Sequence, residues 1–196
     1  MKLSQRYYLD DDVVAISRDL LGKVLCTRLN GCTTKAQIVE TEAYAGVTDR
    51  ASHAYGDRRT RRTEPMYGAG GHAYVYLCYG LHHLFNVVTG SVGTPHAVLV
   101  RAGQPLAGVD EMLVRRRKPR IDDKLMGGPG TMSQALGITT ALTGTSLLGN
   151  TVWIEEGSFD VDPAAIRVGP RVGIDYAGKD AKLPYRFRLN LDESPG

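Results

Sequence analysis

Two carboxylates, Glu40 and Glu42, stand one residue apart in the apolar stretch IVETEAY, Ile38 to Tyr44. A strand repeats every two residues, so Ile38, Glu40, Glu42 and Tyr44 are expected on one face. Two acids held close and partly buried repel each other, which separates their proton affinities and yields an acid and a base. Such a pair can activate water beside an oxocarbenium-like sugar, the chemistry that cleaves a glycosidic bond. A bulge would move the two apart. The same residues also fit a strand end that faces solvent, and the strand alone does not choose between these readings.

A second group lies in HAYVYLCYGLHHLFN, with Tyr74, Tyr76 and Tyr79 in one short run. Tyr74 and Tyr76 share a strand face, and Tyr79 sits beside Gly80, where a turn would expose it. Exposed aromatics near arginines suit base stacking or wedging into a duplex, although tyrosine is also an ordinary strand former. Arg50, Arg58, Arg59, Arg61 and Arg62 form one basic block, and Arg115, Arg116, Arg117, Lys118 and Arg120 another. With a net charge of only +3, they form either one basic face on a nearly neutral protein or two solvated loops. His82 and His83 would point to opposite faces of a strand, and there is no metal-binding His or Cys pattern, so no metal is expected. Gly127 to Thr131, GGPGT, resembles a phosphate-holding turn at a helix start but lacks the ending of a nucleotide-binding loop.

The elements that must position these groups are short. Asp10 to Asp12 precede a helical pattern (Val13, Ile16, Leu20), with Gly22 as its expected cap. Asn30-Gly31 joins KVLCTRL to CTTKAQIVETEAY as a hairpin. Tyr79-Gly80 turns a second strand pair. AVLVRAG, TVWIEEG and YRFRLNL read as strands, and GVDEMLVRRR and GTMSQALGI as helices. Strands outnumber helices without regular alternation, which predicts a single α+β domain over residues 1–196 with mainly antiparallel pairing. The 196 residues suffice for one core. No apolar run is long enough for a membrane span, and no signal peptide is expected. Three cysteines without a paired motif fit a reduced, cytoplasmic setting.

In the same order along the chain, LLGK, IVETEAY, DRASHAYGDRRTRRTEPMY, AYVYLCYG, NVV, AVLVRA, GPGTMSQALGI, GPRVGID and PYRF resemble segments of the alkyladenine (3-methyladenine) DNA glycosylases of the mammalian type. The resemblance covers most of the chain, to about Phe187. It implies a compact domain with a curved sheet, flanking helices and a protruding β-hairpin. It implies a base-excision-repair enzyme that flips alkylated or deaminated purines from double-stranded DNA, with no cofactor. Glu42 resembles the general base that activates a water. Arg101 and the backbone carbonyl of Val172 match groups that hold this water. Tyr44, His53 and Tyr76 match the stacking pocket, and Asn86 the residue that crowds the 2-amino group of guanine. Tyr79 matches the duplex wedge, and Arg58, Thr60, Arg62 and Met66 the segment that contacts the DNA backbone. Glu40 then becomes a supporting group rather than a second catalyst. No lysine occupies a nucleophile position, which implies hydrolysis without strand cleavage. A monomer is expected.

Two departures stand out. Gly128-Pro129-Gly130-Thr131-Met132 lacks the family's lysine at position 131, and the family's C-terminal ending is replaced by RLNLDESPG. Two other functions fit parts of the pattern. One is a lesion-recognising DNA-binding protein without catalysis, which would bind damage and release no base. The other is a nucleoside hydrolase, which would ignore DNA.

Overall fold

The computed structural model describes residues 1–158 and 161–190. Asn30 (φ 50°) and Gly31 (φ 78°) both adopt the left-handed backbone that a two-residue hairpin turn demands. They join β1 (Val24–Leu29) to β2 (Cys32–Tyr44), in register from Val24↔Gln37 to Leu29↔Cys32. Tyr79 (φ 50°) and Gly80 (φ 70°) repeat the device between β3 (Ala73–Cys78) and β4 (His82–Thr89). The remaining strands are β5 (His96–Ala107), β6 (Val152–Glu155), β7 (Ile166–Gly169) and β8 (Arg186–Leu189). The sheet runs β3-β4-β5-β2-β1-β6, with β8 pairing to both β2 and β7. Every described strand pair is antiparallel. This is the expected single α+β domain.

Among the described residues four α-helices accompany the sheet: α1 (Gln5–Tyr8), α2 (Val13–Asp19), α3 (Val109–Arg116) and α4 (Pro129–Leu136). Asp12 caps α2, accepting from the N–H groups of Val14 and Ala15 at 3.1 and 2.9 Å. The helix ends before Gly22. That glycine (φ 82°) instead turns the chain into β1 and donates its N–H to Ile38. Thr131, at the lysine-free position, exchanges hydrogen bonds with the backbone of Gly128 and so closes the start of α4. None of the described helices is long and apolar enough to cross a membrane.

Alternation along the strands sorts their side chains between two faces. Val75, Phe85, Val87, Val98 and Val100 enter the main core with Val13 and Ile16 of α2, Met112 of α3 and Met132 of α4. Their neighbours Tyr76, Leu84, Asn86, Leu99 and Arg101 line a cavity instead. The helices thus cover one face of the sheet, and the other carries the candidate site.

Strand β2 breaks the period. Against β5, Ile38 and Glu40 oppose the adjacent residues Gly103 and Ala102, while Glu40 and Thr41 oppose Ala102 and Val100. Val39 on one strand and Arg101 on the other are the unmatched residues, and each such irregularity re-aims the side chains beyond it. Ile38 therefore packs in the main core with Ala36 and Ala43, contrary to the expectation that it shares a face with Glu40, Glu42 and Tyr44. The bulge separates Ile38 from the acids and leaves the acids together.

Arg115 and Arg116 of the second basic block turn back onto the protein. Arg115 donates to the Ala135 carbonyl in the last turn of α4, and Arg116 to the carbonyls of Lys124 and Leu125. Of the C-terminal stretch RLNLDESPG, the described part ends at Asn190, and the final residues 191–196 lie outside the described residues.

Candidate active site

Glu42 has no exposed surface, which removes the reading of a solvent-facing strand end. A buried carboxylate persists as an ion only when its charge is matched and its oxygens accept hydrogen bonds. Both conditions hold. Oε1 accepts the backbone N–H of Val172 at 2.8 Å. Oε2 accepts the Tyr44 hydroxyl at 2.8 Å and lies 3.3 Å from Arg101 Nη1. Two carboxylate oxygens offer about four acceptor positions, so these three contacts leave one on Oε1.

Glu40 sits behind this cluster. Its Oε1 accepts from Arg101 Nε at 2.9 Å and from Arg186 Nε at 2.7 Å. Arg101 therefore bridges the two acids, and charges alternate from Arg186 through Glu40 and Arg101 to Glu42. Arg101 separates the pair that the sequence places side by side. The two acids are not a mutually repelling dyad.

The cluster faces a cavity of about 410 Å³. Tyr44, His53, Tyr76, Asn86, Arg101 and Val172 all line it. The structure thus gathers six positions drawn from separate segments of the chain. His53 packs edge-on against Tyr76, with ring centroids 4.6 Å apart. Its Nδ1 lies 2.8 Å from the Tyr74 hydroxyl, and its Nε2 lies 3.3 Å from Arg62 Nη2. A guanidinium only donates, so Nε2 is the acceptor and Nδ1 carries the proton. Burial, aided by Arg62 and Arg58, lowers the His53 pKa to about 4. The ring is neutral at pH 7. Asn86 is locked, since its amide nitrogen donates to the carbonyls of Tyr74 and Leu84 at 3.1 and 3.2 Å.

The four positions expected to meet DNA backbone separate into two kinds. Arg58, Thr60 and Arg62 are exposed. Thr60 also exchanges bonds with Thr63 to shape the turn. Met66 is only 1% exposed and lines the cavity beside Tyr67 and Tyr74. It presents no surface to a phosphate, because the 3₁₀ turn Glu64–Tyr67 faces it inward. Tyr79, at the hairpin tip, is 91% exposed, flanked by exposed Leu77 and Leu81. His83 accepts the N–H of Thr140, and no group of three metal-ligating side chains occurs among the described residues.

Three participants escape a reading of the sequence. Arg171 and Asp49 form a fully buried ion pair across 122 positions. Tyr176 stands exposed on the cavity rim and donates its hydroxyl to the Ala51 carbonyl. Only the adjacency of Arg171 to Val172 hints at the first.

Residues 7–193 match the family described as methylpurine-DNA glycosylase. A protein of Chlamydia felis is 46% identical over 195 residues, covering 98% of each chain. One of Bacillus cereus is 45% identical over 188 residues, covering 92% of each. Both carry the name "Putative 3-methyladenine DNA glycosylase". These relatives are bacterial. The chain belongs to the methylpurine-DNA glycosylase family.

Proposed function

We propose that this protein is a monofunctional DNA glycosylase that extrudes alkylated or deaminated purines from duplex DNA and hydrolyses their N-glycosidic bond. The observation that carries this reading is the burial of Glu42 behind an aromatic-lined cavity, with its charge matched by Arg101 and the Val172 N–H. A water on the remaining Oε1 position gives up a proton to Glu42 as it attacks C1′ of the flipped nucleotide. Tyr44, His53 and Tyr76 receive the base. The neutral His53 adds no charge against a cationic purine, and stacking on tyrosine faces favours the cation by ~0.5–2 kcal/mol. Extrusion costs a few kcal/mol, and less for a damaged base. Tyr79 fills the gap left in the duplex, while Arg58 and Arg62 meet phosphates. An alkylated purine already carries positive charge, so it leaves without a protein acid.

The direct test is release of free base from duplex DNA methylated with dimethyl sulfate, with chromatography of the products. The expected products are free methylated purines and intact strands with abasic sites. Selective retention of methylated DNA without base release would identify a binding protein instead. Cleavage of free nucleosides but not of DNA would identify a nucleoside hydrolase.

A further inference from the structure

The chain enters Glu42's surroundings twice, from β2 and from the segment at 171–174, and one side chain ties the two together. Arg171 is fully buried. Its Nη2 donates to Asp49 Oδ1 at 2.9 Å and to the Asp180 carbonyl at 3.1 Å. Its Nη1 donates to the Ala43 carbonyl at 2.8 Å and to Asp49 Oδ2. Its guanidinium carbon lies 4.8 Å from the centre of the Tyr44 ring. Asp49 in turn accepts the N–H groups of Ala45 and Ala51, each at 3.0 Å. The next residue after Arg171 is Val172, whose N–H holds Glu42.

We propose that Arg171, seated by Asp49, is a positioning residue for base excision. It acts through two neighbours: it fixes the Val172 N–H on Glu42 Oε1, and it backs the Tyr44 ring whose hydroxyl holds Oε2. The proposal rests on the glycosylase reading above. Residues 43, 44, 171 and 172 are held together in space by one guanidinium that spans the carbonyl of Ala43 and both oxygens of Asp49. Burial alone would disfavour the charge, but the bonds and charge of Asp49 outweigh it and hold the Arg171 pKa above its ordinary value. A lysine ammonium is compact and has no planar fork. It can satisfy Asp49 but not span these acceptors together.

Arg171→Lys separates a structural role from a positioning one. Methylated duplex DNA serves as substrate with enzyme in excess, and a duplex with a tetrahydrofuran abasic analogue serves as the binding probe. Arg171→Lys is expected to keep its folded state and bind within about 3-fold of wild type. Its single-turnover rate falls about 10- to 100-fold, the scale of an ångström misplacement. Asp49→Asn with Arg171→Met removes both charges at once, which leaves no unpaired buried ion; it shows the same split. Folded variants that excise within about 2-fold of wild type overturn the proposal. Hydrogen exchange on the wild-type protein supplies an independent check. The Val172 amide is expected to be protected although the residue is 46% exposed, and exchange at the rate of an open loop overturns the proposal as well. A wild-type protein that releases no base refutes the glycosylase reading instead.

Discussion

Val172 donates its backbone N–H to Oε1 of Glu42 at 2.8 Å, although 130 positions separate the two residues. The contact brings β2 and the turn after β7 together at one carboxylate. A backbone donor survives substitution of its own side chain, so Val172→Ala is expected to retain base release within about 3-fold. This variant keeps the N–H and trims a half-exposed side chain, for which stability changes stay within about 0.5 kcal/mol. Single-turnover excision and thermal unfolding check both parts.

His53 gives a pH signature. Its folded pKa of about 4 lies below the ordinary 6.5, so the unfolded chain binds the proton more readily. The stability this contributes is present above about pH 6.5 and is lost as pH falls toward 4. Allowing for screening by solvent, the loss is on the order of 2 kcal/mol. Unfolding by urea is expected to show it in the wild type and not in His53→Phe. Imidazole nitrogen resonances are expected to report a neutral ring with the proton on Nδ1 at pH 7.

Tyr79 is 91% exposed, so Tyr79→Ala leaves folding stability within about 0.5 kcal/mol. Losing a stacking or wedging ring costs ~1–3 kcal/mol of binding, about 5- to 150-fold in retention on lesion DNA. Gel-shift and single-turnover measurements together check this. A collapse of the chemical step with binding intact would remove the wedge role.

Binding is expected to weaken with salt with a log–log slope of roughly −0.9 per phosphate contacted. Arg58→Ala and Arg62→Ala should each lower the magnitude of that slope by about one. Met66→Ala should leave the slope unchanged, since Met66 lies inside the cavity wall.

Local chemistry made much of this fold legible. Asn30-Gly31 fixed the first hairpin and the turn at Gly80 the second. The placement of Ile38 was not legible, because a bulge at Val39 depends on how β2 meets β5 and not on β2 alone. Arg115 and Arg116 read as part of a basic face or of a solvated loop, yet their partners are carbonyls that only the packing of α3 and α4 supplies. At the site, the resemblance located Glu42, Tyr44, His53, Tyr76, Asn86 and Arg101; the last five line one cavity, and Glu42 lies buried behind it, hydrogen-bonded to Tyr44. The Arg171–Asp49 pair stayed hidden, since no periodicity links residues 122 apart. The resemblance put Met66 in the segment that contacts the DNA backbone, and the 3₁₀ turn Glu64–Tyr67 buries its side chain.

Glu42→Gln tests the central claim most directly. Glutamine keeps the shape and can still accept the Val172 N–H, but it cannot take a proton from water. With methylated duplex DNA in single-turnover conditions, base release is expected to fall at least about 10²-fold, as for loss of a positioned general base, while lesion binding persists. Base release at the wild-type rate by a folded Glu42→Gln protein would contradict the account.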